Sequence, residues 1–157
     1  MSGGSPVAVA RYVAVVGGYE ADEAVLRMAE EVGRLLAQRG CVLVTGGRRG
    51  VAEAASRGAV LAGGTAVGIL PGTRRDEANP YVTVAVPTGL GETRNALVVM
   101  GADVVIALPG AYGTLSEVAH ALQAGTSVVG LGDGWSISGV IPTTTPLEAV
   151  DTALSLV

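Results

Sequence analysis

An α/β fold with a doubly wound, mainly parallel sheet and helices on both faces is predicted by three features of this 157-residue chain. Short apolar runs rich in β-branched residues alternate with helix-patterned segments from Tyr12 onward, and parallel neighbours need such helical crossovers. The runs are continuously apolar, the mark of strands buried on both faces. Four of them close in glycine-bearing turns, at Gly17-Gly18, Gly46-Gly47, Gly72 and Gly110, which such a sheet gathers along one ligand-binding edge.

Residues 1–10 read as a flexible N-terminal tail and 11–157 as a single domain, a length that buries a real core but is too short for two ordinary units. The first strand covers Tyr12 to Val16. A helix follows from about Ala21 to Arg39, with Val25, Met28, Val32, Leu35 and Leu36 at helical spacing, acids in its first turn and Gly40 as its stop. Cys41 to Thr45 is the second strand, followed by a helix from about Gly50 to Leu61, and Thr65 to Leu70 is the third. A charged loop, Thr73 to Asn79, leads to Val82–Val86 and a glycine-rich corner at Thr88 to Gly91. A helix from about Glu92 to Met100 feeds the strand Asp103 to Leu108, whose own helix opens on Thr114 and runs to about Ala124. Ser127 to Leu131 is a sixth strand. The final helix starts at Thr145-Pro146-Leu147-Glu148, where Thr caps, Pro suits the first helical position and Glu can close a capping box.

Composition narrows the function. The net charge of −4 opposes a broad basic field for nucleic acid, so no nucleic-acid partner is expected. All ten basic residues are arginine, which removes lysine Schiff bases and with them pyridoxal phosphate chemistry. One His and one Cys make a protein-built transition-metal site improbable, and the lone Cys41 fits a core role in a cytoplasmic protein. The N-terminus lacks a basic signal region, and the longest uncharged stretch, Gly58 to Thr73, is broken by glycines and Pro71, so neither signal peptide nor membrane span is expected. Apolar residues make up 49% and charged ones 15%, which points to a homo-oligomer, dimer or tetramer, or else to close packing of small side chains within one copy.

The most informative stretch is Pro109-Gly110-Ala111-Tyr112-Gly113-Thr114-Leu115-Ser116-Glu117, a glycine-rich turn between a strand and a helix start. Unpaired N–H groups and the helix dipole make it a seat for phosphate, which assigns Gly110, Tyr112, Gly113 and Thr114 to ligand binding. Gly17 and Gly18 are a further glycine turn, but without G-x-G-x-x-G spacing, and the second strand ends in no ribose-binding acid, which disfavours NAD. Thr45-Gly46-Gly47-Arg48-Arg49-Gly50 is either a tight turn with solvated charges or a second anion or ribose clamp. Arg74 and Arg75 are a phosphate lid or plain surface. Glu117 either closes a capping box with Thr114 or faces the sugar of a bound nucleotide, to stabilise an oxocarbenium-like transition state or orient a water. Arg94 is either a solvated partner of Glu92 or a positive group opposite Glu117. His120, one turn after Glu117, flanks the site or is an ordinary helix residue.

At these residues the chain resembles the LONELY GUY-type proteins, the Rossmann-like group often mislabelled lysine decarboxylases. Their Pro-Gly-Gly-x-Gly-Thr-x-x-Glu motif is matched at Pro109 to Glu117 with Ala111 in place of one glycine, and Arg94 falls on the family arginine fifteen residues before the proline. Arg57-Gly58-Ala59, Gly68 to Pro71, Ala78 to Tyr81 and Thr88 to Asn95 are more similar to the branch containing molybdenum cofactor carrier proteins. The resemblance implies hydrolysis of the N-glycosidic bond of nucleoside 5′-monophosphates, with Arg94 and Glu117 as the catalytic pair, or carriage of a phosphorylated pterin in the same cleft. It implies a molybdopterin-type or nucleotide ligand and no required cofactor. Thr93 and Asn95 stand where the enzymes have an acid and a lysine, and Arg48 replaces a glycine, departures that favour the carrier pattern.

Overall fold

The computed structural model describes residues 9–134 and 136–157; residues 1–8 of the expected tail lie outside the described residues. Among the described residues there are seven strands, β1 (Tyr12–Val16), β2 (Val42–Thr45), β3 (Ala66–Leu70), β4 (Val84–Pro87), β5 (Val104–Ala107), β6 (Val128–Leu131) and β7 (Val140–Thr143). All pair in parallel, in the order β4-β3-β2-β1-β5-β6-β7. Ala14 of β1 is flanked by Val44 of β2 and Val105 of β5, so the strand order reverses direction between β1 and β5. In doubly wound sheets the ligand crevice opens at the carboxyl ends of the strands at that reversal.

Five α-helices among the described residues cover the sheet: α1 (Glu23–Gln38), α2 (Val51–Leu61), α3 (Asn95–Met100), α4 (Tyr112–Gln123) and α5 (Pro146–Ser155). Period-2 alternation splits the apolar runs between two cores. Val13, Val15, Leu43, Val104, Ile106 and Val129 pack against α1, α2 and α5 through Val32, Leu36, Val51, Ala55 and Val150. Ala14, Val16, Val44, Val105 and Val128 pack on the other face against Val98 and Val99 of α3 and Val118 and Ala121 of α4. Burial of each such side chain contributes roughly 1.5–3 kcal/mol, so the central strands gain from both layers. No helix among the described residues is long and apolar enough to cross a membrane.

The departures from expectation have local causes. β7 is a seventh strand that the run Val140-Ile-Pro-Thr143 conceals, because Pro142 is tolerated only on an edge, where β7 lies beside β6. The helix expected from Glu92 is divided: Gly91–Arg94 form a tight 3-10 turn before α3 begins at Asn95. α1 starts two residues later than expected because the Asp22 carboxylate caps it, accepting from the Val25 N–H at 2.9 Å. α5 begins as expected, with Thr145 accepting from the Glu148 N–H at 3.2 Å and Pro146 at its first position. The Glu148 carboxylate bonds to Thr144 instead of closing a box on Thr145.

α1 and α2 cross at near backbone contact. A Cβ at Gly33 would lie 2.0 Å from the Ala55 carbonyl oxygen, and one at Gly58 would lie 1.9 Å from that of Glu30. Neither obstacle is a movable side chain, so Gly58→Ala must push the helices apart despite alanine's better helix propensity. We expect a loss of about 3 kcal/mol in urea unfolding, the upper range for overpacking, whereas Gly101→Ala after α3, where φ is −89° and a Cβ meets nothing within 4 Å, should cost far less.

Candidate functional site

The glycine turns after β1, β2 and β5 meet at the switch point and are stitched together by backbone bonds. The Gly18 N–H donates to the Pro109 carbonyl at 2.9 Å, and the Val51 N–H that opens α2 donates to the Gly18 carbonyl at 3.0 Å. The β2 turn is fixed internally: the Gly47 N–H donates to Thr45 Oγ1 at 3.0 Å, while the Gly47 carbonyl accepts from the Asn79 N–H at 2.8 Å. Asn79, itself buried, sends its Nδ2 to the Arg48 carbonyl at 2.7 Å. The amides of Gly18 and Gly47 are therefore engaged in shaping the turns.

Between the turns lies a cleft of about 330 Å3 whose lining includes Gly17, Gly46, Arg48, Gly113 and Thr114, together with Arg94 and Glu117. Gly18 and Gly110 instead line a neighbouring depression beside the start of α1. Gly47 underlies its turn without lining the cleft, and Tyr112 is 81% exposed outside it. His120 is exposed and also lies outside, while Arg74 pairs with Asp76 on the surface. Arg49 pairs with Glu20 at 3.4 Å and sits 4.3 Å over the Tyr19 ring, with Arg48 at 5.4 Å from the same ring.

Arg94 is only 8% exposed, held by the 3-10 turn that precedes α3. It does not pair with Glu92. Its Nη1 donates to the Asn95 Oδ1, Nη2 lies where a Cβ added at Gly46 would stand 3.1 Å from it, and the buried Nε has no partner among the described residues. Asn95 Nδ2 in turn donates to Ser116 Oγ at 3.3 Å, and that hydroxyl donates to the Gly113 carbonyl at 3.0 Å. A chain of bonds thus runs from Arg94 to the first turn of α4 through a neutral amide. Buried polar groups are nearly always satisfied, so an orphan guanidinium N–H on a cleft-lining residue calls for an acceptor.

Glu117 does not close a capping box. α4 begins at Tyr112, two residues before Thr114, with Ala111 at the N-cap and no capping side chain, which moves Glu117 from the third helical position to the sixth. Glu117 is 8% exposed, lines the cleft and makes no side-chain hydrogen bond among the described residues. Burial pushes its pKa up to about 8, partly offset by Arg94 and reinforced by Glu92. At neutral pH the carboxyl is predominantly protonated, and Arg94 is left without an ionised partner. Among the described residues no group of three His, Cys, Asp or Glu converges as a metal site.

Asn95 and Asn79 belong to the carrier-like segments and Tyr19 to none; the structure sets Asn95 against Arg94, Asn79 against the Arg48 carbonyl and Tyr19 in the cleft lining beside Arg48 and Arg49. In the sequence, Tyr19 is marked only by following Gly17-Gly18.

Comparison with known proteins identifies the family and the fold. A protein of Archaeoglobus fulgidus is 40% identical over 143 residues, covering 91% of this chain and 94% of its own. The molybdenum cofactor binding protein from Rippkaea orientalis superposes with a TM-score of 0.88 at 38% identity, covering 94% of this chain and 98% of that one. The molybdenum cofactor carrier protein of Chlamydomonas reinhardtii superposes at 0.86 with 32% identity and the same coverage. The sequence pattern of the SLOG cluster4 family matches residues 10–153, and the chain belongs to that family within the Rossmann-like LOG/SLOG superfamily.

Proposed function

We propose that the protein binds a phosphorylated small molecule in the switch-point cleft and carries it intact, the ligand being a molybdenum-cofactor-type pterin or a nucleotide. The observation that carries this reading is the buried guanidinium of Arg94, bonded to a neutral amide, with an unmatched Nε and a protonated carboxyl opposite. A phosphate oxygen supplies the missing acceptor and the missing negative charge, and the uncapped first turn of α4 favours the same anion. Arg94, Glu117, Gly46, Arg48, Gly113 and Thr114 would hold it. The names of the carrier proteins with the same fold agree in ligand class. We place the protein in the cytoplasm as a homo-oligomer, since Val84, Val86, Leu90, Leu97 and Met100 expose apolar surface along β4, α3 and the segment joining them.

Mass spectrometry of gently purified protein should find a phosphorylated ligand, and such ligands should raise the melting temperature. If none copurifies and no pterin phosphate or nucleotide shifts melting, the reading fails.

The protonated Glu117 favours one second reading, a nucleoside 5′-monophosphate phosphoribohydrolase. There Glu117 would give its proton to the departing base as the N-glycosidic bond breaks, water would add to the sugar carbon, and the carboxylate left behind would take back the proton that this water loses. AMP, GMP, CMP and UMP should then yield free base and ribose 5-phosphate. Activity that survives both Glu117→Gln and Arg94→Ala would exclude it.

A further inference from the structure

A second cavity of about 270 Å3 adjoins the cleft on the far side of α4, at the carboxyl ends of β5, β6 and β7. Thr114 lines both spaces, and it is 96% buried by its surroundings, as its residual exposure of 4% requires. The two spaces differ in chemistry. Arg94, Arg48, Glu92 and Glu117 surround the first. Leu108, Val118, Ile137, Val140 and Pro142 wall the second, with Asp133 and Ser136 contributing polar groups from the segment after β6. Gly134 lies against the glycine motif, since a Cβ there would stand 3.7 Å from the Pro109 Cα. An aliphatic slit with a few polar groups suits a planar ring, whereas the charged cleft suits its phosphate.

We propose that this cavity is the ring subsite, and that it takes a 2-amino-4-oxopyrimidine edge, the chemistry shared by guanine and pterins, with the Asp133 carboxylate accepting from the ring N–H and the amino group. The inference rests on the phosphate-binding reading above and names the class of ring. A carboxylate can accept both adjacent N–H donors at once, which an adenine edge does not offer in that pattern. The ligand would then lie across Thr114, phosphate toward Arg94 and ring toward β6 and β7.

Isothermal titration with ribose 5-phosphate, GMP, inosine 5′-monophosphate, AMP and neopterin monophosphate tests this on the full chain. GMP or neopterin monophosphate should bind about tenfold or more tightly than AMP, and GMP should exceed inosine 5′-monophosphate, which lacks the amino group, by a similar factor. Asp133→Ala, in an exposed segment, should abolish both preferences and leave ribose 5-phosphate unchanged. Ser136→Trp should block the ring-bearing ligands in the same selective way. Arg94-dependent binding of ribose 5-phosphate without any Asp133-dependent ring preference overturns the ring subsite alone. Failure of every phosphorylated probe overturns the parent reading as well.

Discussion

Arg94→Ala is expected to weaken binding of a phosphorylated ligand by about 100-fold while leaving the fold intact. The guanidinium offers its unmatched Nε and at least one further N–H to a phosphate, and two charge-assisted bonds at the low end of roughly 1.5–3 kcal/mol each give that factor. Folding should feel the change little. In the ligand-free protein the guanidinium is buried beside a neutral amide with one N–H unsatisfied, so its removal relieves desolvation while it forfeits one bond to Asn95. Urea unfolding should move by no more than about 1 kcal/mol, and titration calorimetry should show the lost affinity. A large fall in stability with unchanged affinity would make Arg94 a structural residue and remove the basis of the proposed function.

The sequence exposed the frame of this site but not its internal wiring. β1, β2, β3, β5 and β6 were legible because Val- and Ile-rich runs of four or five residues, closed by glycine, can be accommodated only as strands covered on both faces. β7 was not, since Pro142 reads as a breaker and only the edge position beside β6 makes it harmless. Glu117 illustrates a sharper limit. Thr114-Leu-Ser-Glu117 satisfies a capping box and a binding helix equally well, and the choice turns on whether Tyr112 and Gly113 are already helical. That is decided by the turn tied to Gly18 through Pro109, a contact 91 residues apart in sequence. The same holds for Arg94. Its neighbour Glu92 is an obvious partner on paper, yet its burial comes from Gly46 on another strand turn, and its hydrogen bond goes to Asn95.

Glu117→Gln is expected to stabilise the protein, by on the order of 4 kcal/mol at pH 8 and by nearly nothing at pH 4.5. The wild-type carboxyl has its pKa raised by burial from 4.5 to about 8, so between those values the folded chain holds a proton that the unfolded chain has released. Unfolding stability therefore falls as pH rises through that window, at about 1.4 kcal/mol per unit for a single group, and the glutamine variant lacks this slope. Denaturant unfolding of both proteins at pH 5, 6.5 and 8 should give a difference that widens steadily; a constant difference would place Glu117 in an ordinary, solvated environment. Ligand binding should fall in the same direction but in a higher pH window. A phosphate held by Arg94 makes ionisation of Glu117 still less favourable, so wild-type affinity should decline as pH rises past about 8, and the decline should be absent from Glu117→Gln. Stability given up at a buried, cleft-lining carboxyl is what a ligand-holding site would be expected to cost, because a chain selected for stability alone would place glutamine or an apolar residue there.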